Sequence, residues 1–269
     1  IKKRHCATPK FAIIGYGKMG GKELGYASDL DMVYLFDDDD QDAGENYNRL
    51  GQRLNTWLSS QTSAGILFET DLRLRPNGDS GLLAVSVDAF RDYQLKHAWV
   101  WEHQALSRAR FCAGDPAVGE RFEAIRIEIL RQQRDLTKLR EEVIAMRRKM
   151  LDAHASHSEN EFDLKQDPGG IIDVEFIVQY LVLGYAHQHA ELTGNLGNIA
   201  LLRIAGELGL INSGQAEAVG NAYREYRRLQ HAKRLNANPQ ARNDRESLEK
   251  HIVAVNQLWQ AIFINGPVA

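Results

Sequence analysis

Two hydrophobic patterns divide the chain. From Phe11 to about Asp115, short apolar strings alternate with Gly, Asp and Pro punctuation. Phe11-Ala-Ile-Ile14 and Met32-Val-Tyr-Leu-Phe36 have the length and composition of buried strands. Between Tyr47 and Ser60, Leu50, Leu54, Trp57 and Leu58 recur at helical spacing. The alternation of Leu72 and Leu74 with Asp71, Arg73 and Arg75 predicts a strand over Phe68–Arg75, and Leu82–Val87 predicts another that leads into a helix from Ala89. Beyond Pro116 the pattern lengthens into helical segments: Ala117–Arg131, Leu136–His154, Ile171–His187, Leu196–Leu208, Ser213–Ala237 and Arg245–Phe263. Gly169-Gly170, Gly209 and Asn238-Pro239 stand where such helices start or stop. The expected organisation is an α/β domain over 1–115 followed by an all-α helical bundle over 116–269, with Tyr223, Tyr226, Arg227, Leu229 and Gln230 on a bundle seam.

Composition narrows the classes without naming one. The 269 residues are 43% hydrophobic and 26% charged, which fits a folded globular chain rather than a disordered or fibrous one. Thirty-three basic against 36 acidic residues give a net charge of −3, so nothing advertises a nucleic acid as partner. Even Ile171–Ala186 is interrupted by Asp173, Glu175 and Gln179, so no membrane span is expected. Two cysteines, Cys6 and Cys112, are too few for a disulfide framework and point to a reducing, cytoplasmic setting. An opening of Ile1-Lys-Lys-Arg4, with a strand starting at Phe11, reads as a piece of something longer.

The informative stretch is Gly15-Tyr-Gly-Lys-Met-Gly-Gly-Lys-Glu-Leu-Gly-Tyr-Ala-Ser-Asp-Leu-Asp31, for which three phosphate chemistries compete. Gly15-x-Gly17-x-x-Gly20 after a strand, with Asp37 downstream, fits a dinucleotide fingerprint, but a crossover helix of the usual length has no room before Met32. A P-loop fails because Glu23 follows Gly21-Lys22 where Ser or Thr is required, and the spacing back to Gly17 is one residue short. The third reading centres on Ser28-Asp29-Leu30-Asp31 entering a strand. Residues two apart share a strand face about 6–7 Å apart, and two carboxylates so placed call for a cation such as Mg²⁺. Gly17, Gly20 and Gly21 let backbone N–H groups approach a phosphate, with Lys18 or Lys22 adding charge. Asp71, with Arg73 and Arg75 on its own face, supplies the third acid expected on a neighbouring strand. Asp173 and Glu175 sit in the first turns of a helix, where acids suit the dipole. The tryptophans at 99 and 101 are expected to pack into the core beside Glu102, which is also a candidate to touch nucleotide.

Gly17-Lys18 followed by Asp29-Leu30-Asp31 resembles the nucleotidyltransferase superfamily that includes DNA polymerase beta, with Lys18 standing where Ser is usual. More closely, GYGKMGGKELGYASDLD, DLRLRPNGDSGLL, WEHQALSRAR and DPGGIIDVEF are similar to the corresponding blocks of the bacterial glutamine synthetase adenylyltransferases, from Gly15 to Phe176. That resemblance implies a polymerase-beta-like mixed sheet with helices, and a multifunctional enzyme with an AMP-attaching and an AMP-removing half that regulates nitrogen assimilation. Leu30 and His103-Gln104 favour the attaching half. The implied reaction moves AMP from ATP to a tyrosine hydroxyl of glutamine synthetase and releases pyrophosphate. Mg²⁺, with Mn²⁺ as the alternative, would be held as a metal pair by Asp29, Asp31 and Asp71. Asp71 is implied to accept or orient the tyrosine proton. Gly17, Lys18, Gly20, Gly21, Ser28, Arg73 and Arg75 are implied on the nucleotide, with Arg108 and Arg110 as further phosphate candidates. The PII regulatory protein is implied as a partner of the full-length enzyme. Two other readings keep the same acids: the removing half, and an ATP-sensing module without turnover.

Overall fold

The computed structural model describes residues 6–25, 28–66, 68–153, 160–236 and 242–265. Tyr26 and Ala27 of the glycine-rich stretch, and the expected helix stop at Asn238-Pro239, lie outside the described residues. The chain forms two units, Ile1–Leu130 and Arg131–Ala269.

The first unit is built on a mixed five-stranded sheet. Strand β1 (Phe11–Gly15) leads through a single helical turn, α1 (Gly17–Gly20), towards β2 (Leu30–Phe36). Helix α2 (Ala43–Ser59) follows, then β3 (Thr70–Asp71), β4 (Ala84–Ser86), α3 (Val87–Lys96), α4 (Val100–Leu106), β5 (Arg110–Gly114) and α5 (Pro116–Leu130). β1 lies antiparallel between β2 and β5. The other edge of β2 is shared by two parallel strands, with Leu30 and Asp31 opposite Thr70 and Asp71 of β3, and Tyr34–Phe36 opposite Ala84–Ser86 of β4.

Strands buried on both faces read as continuous apolar runs, which is why β1 and β2 were visible in the sequence. Leu30, Met32, Tyr34 and Phe36 pack towards Ala43 and Tyr47 of α2. Val33 and Leu35, with Ala12 and Ile14 of β1, face Phe90, Leu106, Phe122 and Ile129 from α3, α4 and α5. Because α5 contributes Val118, Phe122, Ile125 and Ile129 to this core, the first unit runs to Leu130 rather than ending at 115. The change in sequence pattern marks where helices become long, and α5, the first of these, still packs in the first unit's core.

The strand expected over Phe68–Arg75 is shorter than its alternation suggested, because β3 ends at Asp71. Leu72 joins the core on the α2 side and Leu74 the opposite core, so a turning chain produces the same alternation as a strand. Backbone N–H groups of Arg75 and Gly78 donate to the carbonyls of Leu72 and Arg75, and Asn77 adopts a left-handed φ of 62°. Helix α3 opens at Val87 with Ser86 as its cap, the hydroxyl accepting from Ala89 N–H at 3.1 Å.

The second unit contains α6 (Leu136–Asp152), α7 (Ile171–Tyr185), α8 (Asn198–Glu207), α9 (Ser213–Leu235) and α10 (Glu249–Trp259), the last continuing as a π turn over Gln260–Ile264. Helix α7 is apolar on nearly every side and packs against α6, α8, α9 and α10, the behaviour of a helix with no solvent face. Tyr223, Tyr226 and Gln230 of α9 are buried, as a seam requires. A two-stranded antiparallel ribbon, β6 (Glu161–Asp163) with β7 (Arg242–Asp244), accompanies these helices. Three-residue strands carry too little pattern to be read from sequence. Among the described residues no helix is long and apolar enough to cross a membrane.

Candidate active site

β2 and β3 bring three carboxylates together. Asp29 immediately precedes β2, Asp31 is its second residue, and Asp71 lies opposite Asp31 across the parallel ladder. One ligand oxygen from each lies within 4.8 Å of the others, the one such group of three among the described residues. Like charges so close oppose one another, and the burden falls on Asp31. Its carboxyl is pushed up to about 6, first by burial and then by the charges of Asp29 and Asp71. Asp71 is held below the ordinary carboxylate range by hydrogen bonds from Arg73, whose Nε donates to both oxygens at 3.0 and 3.1 Å. Lys18 Nζ lies 3.4 Å from Asp29 Oδ1. An all-oxygen, carboxylate donor set with an unneutralised excess of charge fits a hard divalent cation.

The glycine turn stands over this cluster. Gly17 has a left-handed φ of 51°, and a Cβ there would overlap Asp31 Oδ2, so glycine is required twice over. Gly20 and Gly21 are glycine for another reason. Their N–H groups donate within the turn, to Tyr16 O at 2.8 Å and Gly17 O at 3.0 Å. Their bare faces lie against Arg108, whose Nη2 would come within 2.5 Å of a Cβ at Gly21. The opening end of the turn, Gly17 and Lys18, is the part that faces Asp31 and Asp29.

Other residues singled out from sequence sort by what they touch. Ser28 is buried, and its hydroxyl accepts from Gly25 N–H at 3.0 Å, which assigns it to the turn ahead of Asp29. Arg75 is buried and braces the loop after β3, donating to Leu72 O at 2.7 Å and Gly81 O at 3.3 Å. Arg73 is exposed beside Asp71. Arg108, 9% exposed, pairs with Glu23 at 2.7 Å, and Arg110 donates to the carbonyls of Gly20 and Met19 at 3.0 and 3.1 Å. Asp173 is buried in a pair with Arg147 and accepts from Gly169 N–H at 2.6 Å, so a structural bond accounts for it. Glu175 accepts from Tyr223 at 3.4 Å.

Burial around α4 is the reverse of what was expected. Trp99 is 69% and Trp101 38% exposed, while Glu102 is 6% exposed. Glu102 accepts from Trp99 N–H and from the Tyr93 hydroxyl, both at 2.8 Å, and so caps the helix from within. A charged residue tolerates burial when each oxygen has a donor.

A cleft of about 470 Å³ opens on the acids and is lined by Asp29 and Asp71 together with Asn55, Glu69, Thr70 and Asp79. Asn55 was missed in the sequence. It reaches the cleft from α2, where its Oδ1 accepts from the Thr70 hydroxyl at 2.6 Å, and a single amide on an amphipathic helix carries no motif that would have marked it.

The comparisons with known proteins agree along the chain. Residues 1–125 match the family described as glutamate-ammonia ligase adenylyltransferase, and residues 137–259 match that described as GlnD PII-uridylyltransferase. The chain is similar to a bifunctional glutamine synthetase adenylyltransferase/adenylyl-removing enzyme of Aromatoleum aromaticum, at 68% identity over 88% of this chain and 25% of the relative. It is similar to the enzymes of that name from Nitrosomonas europaea, at 58% identity over 98% of this chain and 30% of the relative, and Bordetella bronchiseptica, at 55% over 100% and 28%. The chain thus spans 25–30% of the length of these curated relatives. It belongs to the family of bifunctional glutamine synthetase adenylyltransferase/adenylyl-removing enzymes.

Proposed function

We propose that this chain is the adenylylating half of such an enzyme, a polymerase-beta-like nucleotidyltransferase domain followed by a helical bundle, and that it transfers AMP from ATP to a tyrosine hydroxyl of glutamine synthetase. The observation that carries the reading is the three-carboxylate cluster under the Gly17 turn. Leu30 and His103-Gln104 support the adenylylating over the removing half.

Asp29, Asp31 and Asp71 would hold the divalent metal ions, a pair of Mg²⁺ or Mn²⁺, which would offset the charge that develops on the transferring phosphate and the leaving pyrophosphate. Gly17 and Lys18 receive the triphosphate. Arg73, exposed at the rim, is placed to hand its charge from Asp71 to a phosphate oxygen. Asp71, a carboxylate ionised at neutral pH, accepts the hydrogen bond of the incoming tyrosine hydroxyl and orients its oxygen towards the α-phosphorus. Positioning and fixed charge then do most of the work, as in phosphoryl transfer generally. The protein substrate is glutamine synthetase, and the PII regulatory protein is the partner of the full-length enzyme.

The test is incubation with glutamine synthetase, Mg²⁺ and ATP labelled at the α-phosphate, beside an Asp29→Asn/Asp31→Asn variant. Label on the synthetase with the parent chain and none with the variant is expected. Phosphate-dependent release of ADP from modified synthetase, without forward transfer, would assign the chain to the removing half. Binding of Mg·ATP with neither reaction would make it a sensor.

A further inference from the structure

We propose that Arg108 and Arg110 are positioning residues for the nucleotide, which hold the glycine turn over the acid cluster from behind without touching the phosphates. The inference rests on the adenylylation reading for its kinetic arm and on geometry for the rest. Gly15, the last residue of β1, lies directly opposite Arg110 in the β1–β5 ladder. From there the guanidinium reaches the two carbonyls that close α1, Met19 O at 3.1 Å through Nη2 and Gly20 O at 3.0 Å through Nε. A one-turn helix cannot satisfy its own last carbonyls, and its C-terminal end carries partial negative charge. A planar fork meets both needs at once, which a lysine ammonium cannot.

Arg108 completes the support. Its backbone carbonyl fills the space behind Gly20, its guanidinium fills the space behind Gly21, and Glu23 beyond the turn fixes that guanidinium at 2.7 Å. Glu23 N–H in turn donates to Lys18 O at 2.8 Å, so the far end of the turn is tied to the residue nearest Asp29. The consequence is a rigid bracket: β5 sets the height of Met19–Gly21, and with it the distance from Gly17 and Lys18 to Asp31 and Asp29. As they stand, the Arg110 guanidinium is engaged with two backbone carbonyls and the Arg108 guanidinium with Glu23.

The test compares the parent chain with Arg110→Met, Arg110→Lys and Glu23→Gln. Three quantities are read: amide hydrogen exchange at Gly20 and Gly21, the Mg·ATP dissociation constant and KM against kcat, and Mn²⁺ affinity without nucleotide by electron paramagnetic resonance. Arg110→Met is expected to speed exchange at Gly20 about tenfold and weaken Mg·ATP binding and KM about tenfold, the loss of roughly one hydrogen bond to a charged group. It is expected to leave kcat within about threefold and Mn²⁺ affinity unchanged, because the acids are untouched. Arg110→Lys should behave like Arg110→Met. Restoration of KM by Arg110→Lys would overturn the proposal, since a retained point charge then suffices and the contact is with phosphate; unchanged exchange would overturn it too. Glu23→Gln, which leaves both arginines in place, should speed exchange at Gly21 and decides the matter if Arg110→Met does not fold. Absence of transfer by the parent chain would refute the adenylylation reading alone, because exchange and Mg·ATP binding are read without turnover.

Discussion

Replacing Asp31 by Asn should make the metal-free protein more stable while it removes a ligand of the proposed metal site. Folding raises the Asp31 carboxyl from 3.8 to about 6, so at neutral pH the native state holds a charge that burial and two neighbouring carboxylates oppose. Two units correspond to about 3 kcal/mol at 1.36 kcal/mol each. The side chain is only half-buried, and solvent screening reduces that to about 1–2 kcal/mol. The sign follows from linkage. The native state binds this proton more tightly than the unfolded chain, so the cost is complete above about pH 6, falls as the native carboxyl takes its proton between about pH 6 and 4, and vanishes below the unfolded value. In EDTA at pH 7.5 the variant should melt about 3–6 °C above the parent, and most of that gain should be gone at pH 4.5. Adding Mg²⁺ should raise the parent's melting temperature and leave the variant's unchanged, narrowing or reversing the gap. A variant less stable than the parent in EDTA at pH 7.5, or a gain that persists at pH 4.5, would refute the reasoning.

Three further outcomes are expected. Gly17→Ala drives a methyl into Asp31 Oδ2 at a left-handed φ of 51°, and should lower stability by about 1–3 kcal/mol and Mn²⁺ affinity at least tenfold, read by chemical denaturation and metal titration. Lys22, exposed with φ of 59°, is strained for a side-chain-bearing residue, so Lys22→Gly should add up to about 1 kcal/mol in urea unfolding. Arg147→Met leaves Asp173 buried without its ion-pair partner and should cost the second unit about 3–5 kcal/mol near pH 7, with less loss when Asp173→Leu is combined with it; equal losses in single and double variants would count against a coupled pair.

The readable parts of the sequence were those where one physical demand dominates. β1 and β2 are buried on two faces and had to be apolar throughout, so their ends fell within a residue or two of expectation. The Asp-Leu-Asp entry to β2 was legible because residues two apart share a face, and Asp71 because an acid flanked by arginines is rare in a strand-like context. Where two demands give the same pattern, reading stopped short. Leu72 and Leu74 alternate with charge because a turn delivers them to two different cores. Gly20 and Gly21 make room for Arg108, a residue 87 positions beyond Gly21, a contact that no local spacing registers. The tryptophans at 99 and 101 and Glu102 exchanged their expected places because a helix end needed an internal acceptor, a need that no hydropathy scale registers.

Lysine at position 18 departs from the Gly-Ser pattern of the superfamily that the sequence resembles, and the geometry gives it a role. A serine hydroxyl there would stay near the backbone, whereas the lysine ammonium reaches Asp29. With Arg73 on Asp71, two cations stand against three carboxylates, leaving a net charge of −1 on the cluster and the excess on Asp31. That balance is what allows the acids to sit within 4.8 Å of one another before any metal arrives. It also sets Lys18 and Arg73 on two of the carboxylates a cation would neutralise. Each would become available to the triphosphate of the proposed reaction once a cation neutralises its carboxylate. In the proposed reaction, charge passes from acid to phosphate in one step of loading, so the nucleotide and its cation should be held far more tightly together than either is alone.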